Sequence, residues 1–135
     1  MDDRYKSLIA AARAVQQRAY APFSRFRVGC ALQTPDGDVF CGCNVENQSF
    51  GATLCAERVA LGSAVAAGRR DFQILVLVTD AREPATPCGV CRQVLSEFAP
   101  SLQIVSVAPD GATQHWTLAE LLPVPFEYPP EDARA

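Results

Sequence analysis

The amino-acid sequence predicts an α/β protein, a three-layer α/β/α sandwich around a mixed five-stranded sheet. Three observations carry that expectation. An amphipathic helical pattern at the start gives way to two strand-like runs joined by a tight turn, the signature of a hairpin. Strands and helices then alternate along the rest of the chain. The run FQILVLVT at residues 72–79 is nearly all apolar, as a central strand covered on both faces must be. With 135 residues, 49% of them hydrophobic, the chain fits one compact domain spanning 1–135, and it shows no repeat and no linker.

Asp2 or Asp3 can cap a first helix running to about Tyr20, with Leu8, Ile9, Ala12, Val15 and Ala19 near one face. Pro22 and its neighbours in YAPFSRF break that pattern. RVGCALQ at residues 27–33 reads as a strand, PDG at 35–37 as a hairpin turn, and residues 39–43 as the antiparallel partner. NVENQSFGAT is polar and turn-prone, hence a loop. A second helix spans about 54–67 and stops at Gly68. After the 72–79 strand, a loop holding Pro84 and Pro87 leads into a third helix at about 88–98, ahead of Pro100. Residues 103–107 form another strand, PDG recurs as a turn at 109–111, and 114–117 form a short fifth strand. A brief helix at 118–122 precedes the proline-broken tail PVPFEYPPEDARA.

Composition narrows the function. No window approaches the apolar length of a membrane span, and MDDRYKSL lacks the apolar region of a secretory signal, so the expected location is cytoplasmic with no membrane partner. In a reducing compartment six cysteines point to metal binding or catalysis instead of a disulfide framework. A formal net charge of −3 argues against a nucleic-acid polymer as partner, because phosphate binding draws on a basic surface. Arg69-Arg70 is too short a run to change this and reads as solvated loop.

The chemistry concentrates at LCAERVAL (54–61) and PCGVC (87–91). Proline suits the first turn of a helix, which puts Cys88 at the start of the third helix and Cys91 one turn along on the same face. Cys55 stands at the start of the second helix. Both helices follow loops leaving the same region of a sheet, so the three thiols can meet, and the positive ends of the helices favour them as thiolates. Three sulfurs around one zinc ion leave a fourth position open for water. The rival is a structural zinc closed by a fourth protein ligand. His115, the single histidine, sits beside Trp116 in an edge strand without ligand-type spacing, and Cys30, Cys41 and Cys43 read as small core residues of the hairpin. Glu57, two residues beyond Cys55, can project toward the open position and carry protons there, which favours the catalytic reading.

C-A-E followed by P-C-x-x-C resembles the zinc-dependent nucleobase and nucleoside deaminases. With cysteine as the first ligand, the chain is similar to the small three-cysteine cytidine deaminases. AYAPFSRFRVGCAL, CGCNVEN, CAERVAL, PCGVCRQVL and ELLPVPF follow that family's order and spacing from Ala19 to about Phe126. The resemblance implies one zinc per subunit on Cys55, Cys88 and Cys91, with Glu57 as proton shuttle. It implies ribose contacts from Asn44 and Glu46, Phe26 against the pyrimidine ring, the Ala56 N–H on the 2-oxo group and the Thr86 carbonyl on the departing amine. Arg58, assisted by Gln93, is implied to offset the charge of the ligand sulfurs. A homotetramer is implied too, with Phe50 and Phe126 at sites completed by neighbouring subunits; Phe50 stands where relatives carry tyrosine.

The implied reaction is hydrolytic deamination of cytidine and deoxycytidine to uridine and deoxyuridine, a step of pyrimidine salvage with a small nucleoside as substrate. Blasticidin-type deaminases are similar around the cysteines and in ALGSAVAAG, but carry tyrosine at the position of Glu46. A domain in which zinc merely staples the fold is the non-enzymatic rival.

Overall fold

Two apolar faces of one sheet organise the chain. The computed structural model describes residues 2–134. In chain order it contains α1 (Asp3–Gln16), β1 (Val28–Gln33), β2 (Val39–Cys43), α2 (Ala56–Ala66), β3 (Ile74–Thr79), α3 (Gly89–Phe98), β4 (Gln103–Val107), β5 (Thr113–Thr117) and α4 (Leu118–Leu121). Short 3-10 turns occupy Phe50–Ala52 and Glu131–Ala133. The five strands lie in the order β2-β1-β3-β4-β5. Only β3 and β4 are parallel, so the sheet is mixed.

Every residue of β3 is buried, as its unbroken apolar run requires. On one face α1 sets Leu8 and Ala12 against Ala31, Ile74, Val76, Val78, Val105 and Val107. On the other, α2 and α3 pack Ala60, Leu61, Ala64 and Leu95 over Cys30, Leu32, Leu75, Leu77 and Ile104. Helix, sheet and helix make the expected three layers.

Local rules set the ends of the elements. The Asp2 side chain accepts from the Arg4 N–H at 2.9 Å and caps α1. At the end of α2, Gly68 takes φ 89°, its N–H bonds the Val65 carbonyl at 2.9 Å, and the Arg69 N–H bonds the Ala64 carbonyl at 2.9 Å. That is a Schellman closure, and it needs the left-handed conformation glycine tolerates. Both PDG segments turn as expected, with Gly37 and Gly111 donating to the carbonyls of Thr34 and Ala108.

Three expectations are revised. First, α1 stops at Gln16 instead of near Tyr20, because Tyr20 pairs with the loop after β2. Its N–H bonds the Asn44 carbonyl at 3.0 Å and its carbonyl accepts from Glu46 at 2.9 Å. Tertiary pairing outweighs the helical pattern there. Second, Cys30 is fully buried, but Cys41 and Cys43 are only half-buried because β2 is an edge strand. Third, Arg69 is not a loop charge in solvent. Its guanidinium bonds Asp36 at 2.6 Å and Asp38 at 2.5 Å, tying the hairpin turn to the end of α2. Among the described residues, no helix is long and apolar enough to cross a membrane.

The contact that matters most for the site lies where α2 crosses β2. A Cβ built on Gly42 would come within 2.4 Å of both the Ala56 carbonyl oxygen and the Ala60 nitrogen. Both are backbone atoms and cannot swing away. Gly42→Ala is therefore expected to lift the first turn of α2 and cost about 3 kcal/mol, at the upper end for an overpacked core. Thermal unfolding should show a Tm lower by roughly 10 °C; a Tm within about 2 °C of the parent would contradict the close approach.

Candidate active site

Two helix starts face each other at one end of the sheet. Cys55 is the N-cap of α2 and Cys88 the N-cap of α3, both with extended backbone, and neither uses its side chain as a cap. Cys91 follows on the first turn of α3 and is fully buried. The Sγ atoms of Cys55 and Cys88 are 3.8 Å apart, and all three sulfurs lie within 4.8 Å of one another. Two sulfurs bound to one tetrahedral zinc at about 2.3 Å stand about 3.8 Å apart, so this donor set fits zinc in both chemistry and spacing. His115 takes no part. It lies exposed on β5, with Nε2 2.7 Å from the Gln103 amide oxygen.

Charge is arranged around the sulfurs. The neighbouring Cys91 thiol, the Arg58 guanidinium and Cys88 all stabilise the Cys55 thiolate, so the Cys55 pKa falls to about 5. Cys91 moves the opposite way, its pKa raised by the neighbouring Cys55 sulfur and by burial. Arg58, on the first turn of α2, donates from Nη2 to the Thr53 carbonyl at 3.1 Å and to the Cys55 sulfur at 3.7 Å. Glu57 is only 4% exposed. Burial pushes its carboxyl up to about 7, with the charge of Cys55 contributing in the same direction. A carboxyl tuned near neutrality can both hold and release a proton at physiological pH.

Beside the sulfurs opens a cleft of about 440 Å³. Phe26, Asn44, Glu46, Cys55, Ala56, Glu57, Thr86 and Cys88 all line it. The structure thus gathers residues from the 24–28 segment, the loop after β2, the start of α2 and the loop before α3. Ala56 is the first residue of α2, where backbone N–H groups lack helical partners. Asn44 is buried and splints two chain segments. Its oxygen accepts from the Val28 N–H at 2.9 Å and its amide donates to the Phe26 carbonyl at 2.8 Å. Glu46 accepts from the N–H groups of Phe23 and Ser24 at 2.9 and 3.1 Å and closely from the Ser24 hydroxyl. The Ser24 hydroxyl bond is the largest influence holding the Glu46 carboxyl below the usual carboxylate range.

Three further anticipated residues lie outside the cleft. Gln93 turns away from the sulfurs and exchanges both of its amide bonds with the Phe126 backbone, each at 3.0 Å. Its amide anchors the tail, a contact that no spacing rule exposes. Phe126 is 66% exposed and packs edge-on against Tyr128. Phe50 is 74% exposed, edge-on to Phe23 with ring centroids 5.9 Å apart. Two contributors were not anticipated: Ser24, whose signal was only its place two residues after Pro22 in YAPFSRF, and Arg92, adjacent to Cys91.

Comparison with known proteins agrees with this geometry. Residues 2–107 match the family model described as the cytidine and deoxycytidylate deaminase zinc-binding region. The chain is 42% identical over 122 residues to a cytidine deaminase of Sporosarcina psychrophila, covering 90% of each chain. It is 46% identical over 120 residues to a cytidine deaminase of Halalkalibacterium halodurans, covering 88% of this chain and 91% of that one. The crystal structure of cytidine deaminase from Burkholderia pseudomallei superposes with a TM-score of 0.88 at 47% identity, over 90% of this chain and 98% of that one. With three sulfurs at zinc spacing beside a buried glutamate, and a family model matched across most of its length, the chain belongs to the cytidine and deoxycytidylate deaminase zinc-binding family.

Proposed function

We propose that this protein hydrolyses cytidine and deoxycytidine to uridine and deoxyuridine with release of ammonia, serving pyrimidine salvage in the cytoplasm as a single catalytic domain within a homotetramer. The observation that carries this reading is the buried Glu57 carboxyl, tuned near neutrality, on the wall of the cleft beside the three sulfurs. A zinc ion used only as a staple has no need of an ionisable group buried there.

Cys55, Cys88 and Cys91 hold the zinc. When bound, zinc would supply the Lewis acidity that lets water act as a nucleophile at neutral pH. Glu57 takes one proton from the attacking water and delivers it to N3, then carries that water's second proton to the 4-amino group, so the C4–N bond breaks, ammonia leaves and the water oxygen stays on C4. The Ala56 N–H binds the 2-oxo group at the positive end of α2. The Thr86 carbonyl accepts from the amino group, and Phe26 lies against the pyrimidine ring. Glu46 accepts from the ribose 3′-hydroxyl, and Asn44 donates to it the amide N–H left after its backbone bond. Arg58 neutralises part of the excess negative charge of three thiolates. Phe50 and Phe126, both exposed, meet neighbouring subunits.

An ultraviolet assay on cytidine, with metal analysis of the same sample, tests the whole reading. A protein carrying one zinc per chain and deaminating cytidine supports it; a zinc-loaded protein inert toward cytidine overturns it. Glu57→Gln keeps the shape of the site and is expected to retain one zinc per chain while kcat falls roughly 100- to 10,000-fold, the usual worth of general acid–base catalysis. Parental turnover in that variant would leave zinc only a structural task. Glu46→Gln is expected to raise KM for cytidine roughly tenfold or more, because a charged acceptor of the hydroxyl is lost. Steady-state kinetics measure this, and an unchanged KM removes Glu46 from the substrate.

A further inference from the structure

The cleft wall formed by Ala85 and Thr86 is held in an unusual way. Among the described residues, 82–87 make no backbone–backbone hydrogen bond, although they separate the buried strand β3 from the helix that carries two of the sulfurs. One side chain supplies the missing anchorage. Arg92, the fourth residue of α3, donates from Nε to the Pro87 carbonyl at 2.8 Å and from Nη2 to the Thr86 hydroxyl at 2.9 Å. From Nη1 it reaches the Leu121 carbonyl at the end of α4, also at 2.9 Å. Three of its five N–H donors are thus committed to backbone or hydroxyl oxygens in a planar fork, which lysine cannot reproduce.

These contacts bracket the residues that matter. Pro87 precedes Cys88, the α3 N-cap, whose carbonyl accepts the Arg92 N–H at 3.0 Å. Thr86 lines the cleft, and the proposed deamination gives its carbonyl the departing amine. Leu121 supplies a fixed point, because α4 is bound to the sheet through buried Leu118. The guanidinium therefore ties to two packed helices a segment whose other anchor is the fully buried Pro87 side chain.

We infer that Arg92 is a positioning residue that sets the Thr86 carbonyl at the 4-position of the base and thereby distinguishes the amino group of the substrate from the oxygen of the product. The inference rests on the proposed deamination. A carbonyl oxygen held there attracts the N–H donors of a 4-amino group and repels a 4-oxo group. Arg92 makes no side-chain hydrogen bond to the sulfurs, Glu57, Asn44 or Glu46, so loosening the wall acts first on that acceptor. A small displacement of such a group is enough to slow a reaction at the neighbouring carbon.

The test uses the full chain loaded with zinc and three variants: Arg92→Leu, Arg92→Lys and Thr86→Val. The parent must first deaminate cytidine; if it does not, the proposed function fails, and the role of Arg92 with it. Given an active parent, Arg92→Leu is expected to lower kcat/KM for cytidine roughly tenfold or more, with one zinc per chain retained. Inhibition by uridine, which has no 4-amino group, should change less than about threefold. Arg92→Lys should recover part of the loss, and Thr86→Val, which keeps the carbonyl, should show a smaller loss of the same selective kind. Parental kcat/KM in Arg92→Leu overturns the inference, as does an equal weakening of cytidine turnover and uridine inhibition. If Arg92→Leu does not fold, the other two variants decide: cytidine kinetics at the parental level in both overturn the assignment.

Discussion

The seat of α2 on the edge strand β2 governs the rest of the molecule. At Gly42 the sheet has no side chain, and the Ala56 carbonyl and Ala60 nitrogen occupy the space one would fill. The helix axis drops toward the strand, and alanines at 56, 60 and 64 let it settle there fully buried. Because the first turn is the one pressed down, its N-cap Cys55 comes within 3.8 Å of the Cys88 sulfur on a separate helix. A packing rule about small residues thus becomes a rule about donor atoms. The same descent buries Glu57, since the second residue of a helix pressed onto a sheet has little access to water. Metal spacing and acid strength have one mechanical cause.

Electrostatics then exploit what packing has brought together. Three potential anions and a carboxyl share a small volume, which would be prohibitive without compensation. Two helix N-termini point their positive ends into it, and Arg58 adds a full charge within reach of the Cys55 sulfur. The result divides the labour. Cys55 is drawn toward the thiolate, while Glu57 is pushed toward the protonated form by burial. A site that holds one group ionised and another near its midpoint is suited to binding a soft cation on one side and passing protons on the other.

Much of this was legible in the residues. The alternation of apolar runs gave the five strands and their helices, since β3 could hide its unbroken row of branched side chains only in the middle of a sheet. The C-x-x-C spacing at 88–91 and the isolated Cys55-Glu57 pair located the metal corner, because helix geometry ties such spacings to one face. What escaped depended on contacts far apart in sequence. Arg69 read as a solvated charge until the hairpin turn, more than thirty residues earlier, folded back upon it. Gln93 read as a partner of the sulfurs but anchors Phe126, thirty-three residues on. The end of α1 was misplaced because Tyr20 finds its partners only once the loop after β2 is in position.

Those long-range contacts share a chemistry that bears on how the cleft works. Its walls near residues 24–28, 44–46 and 80–88 contain little regular structure, and they are stitched by side chains bonding to backbone. Asn44 splints Phe26 to Val28, Glu46 gathers Phe23 and Ser24, Asp80 accepts from the Arg27 N–H at 3.0 Å, and Arg92 secures Thr86 and Pro87. Asn44 and Glu46 also line the cleft, and in the proposed function they contact the sugar, so their polar atoms would serve the wall and the ligand together. Such a residue cannot be removed to abolish one contact alone, because the wall shifts with it. Arg92 stands apart in this respect: it bonds the wall without lining the cleft, and in its inferred role it acts on the substrate through the position of Thr86. In the inferred role, specificity at the 4-position of the base is a property of how firmly a loop is tied down by an arginine bonding the wall.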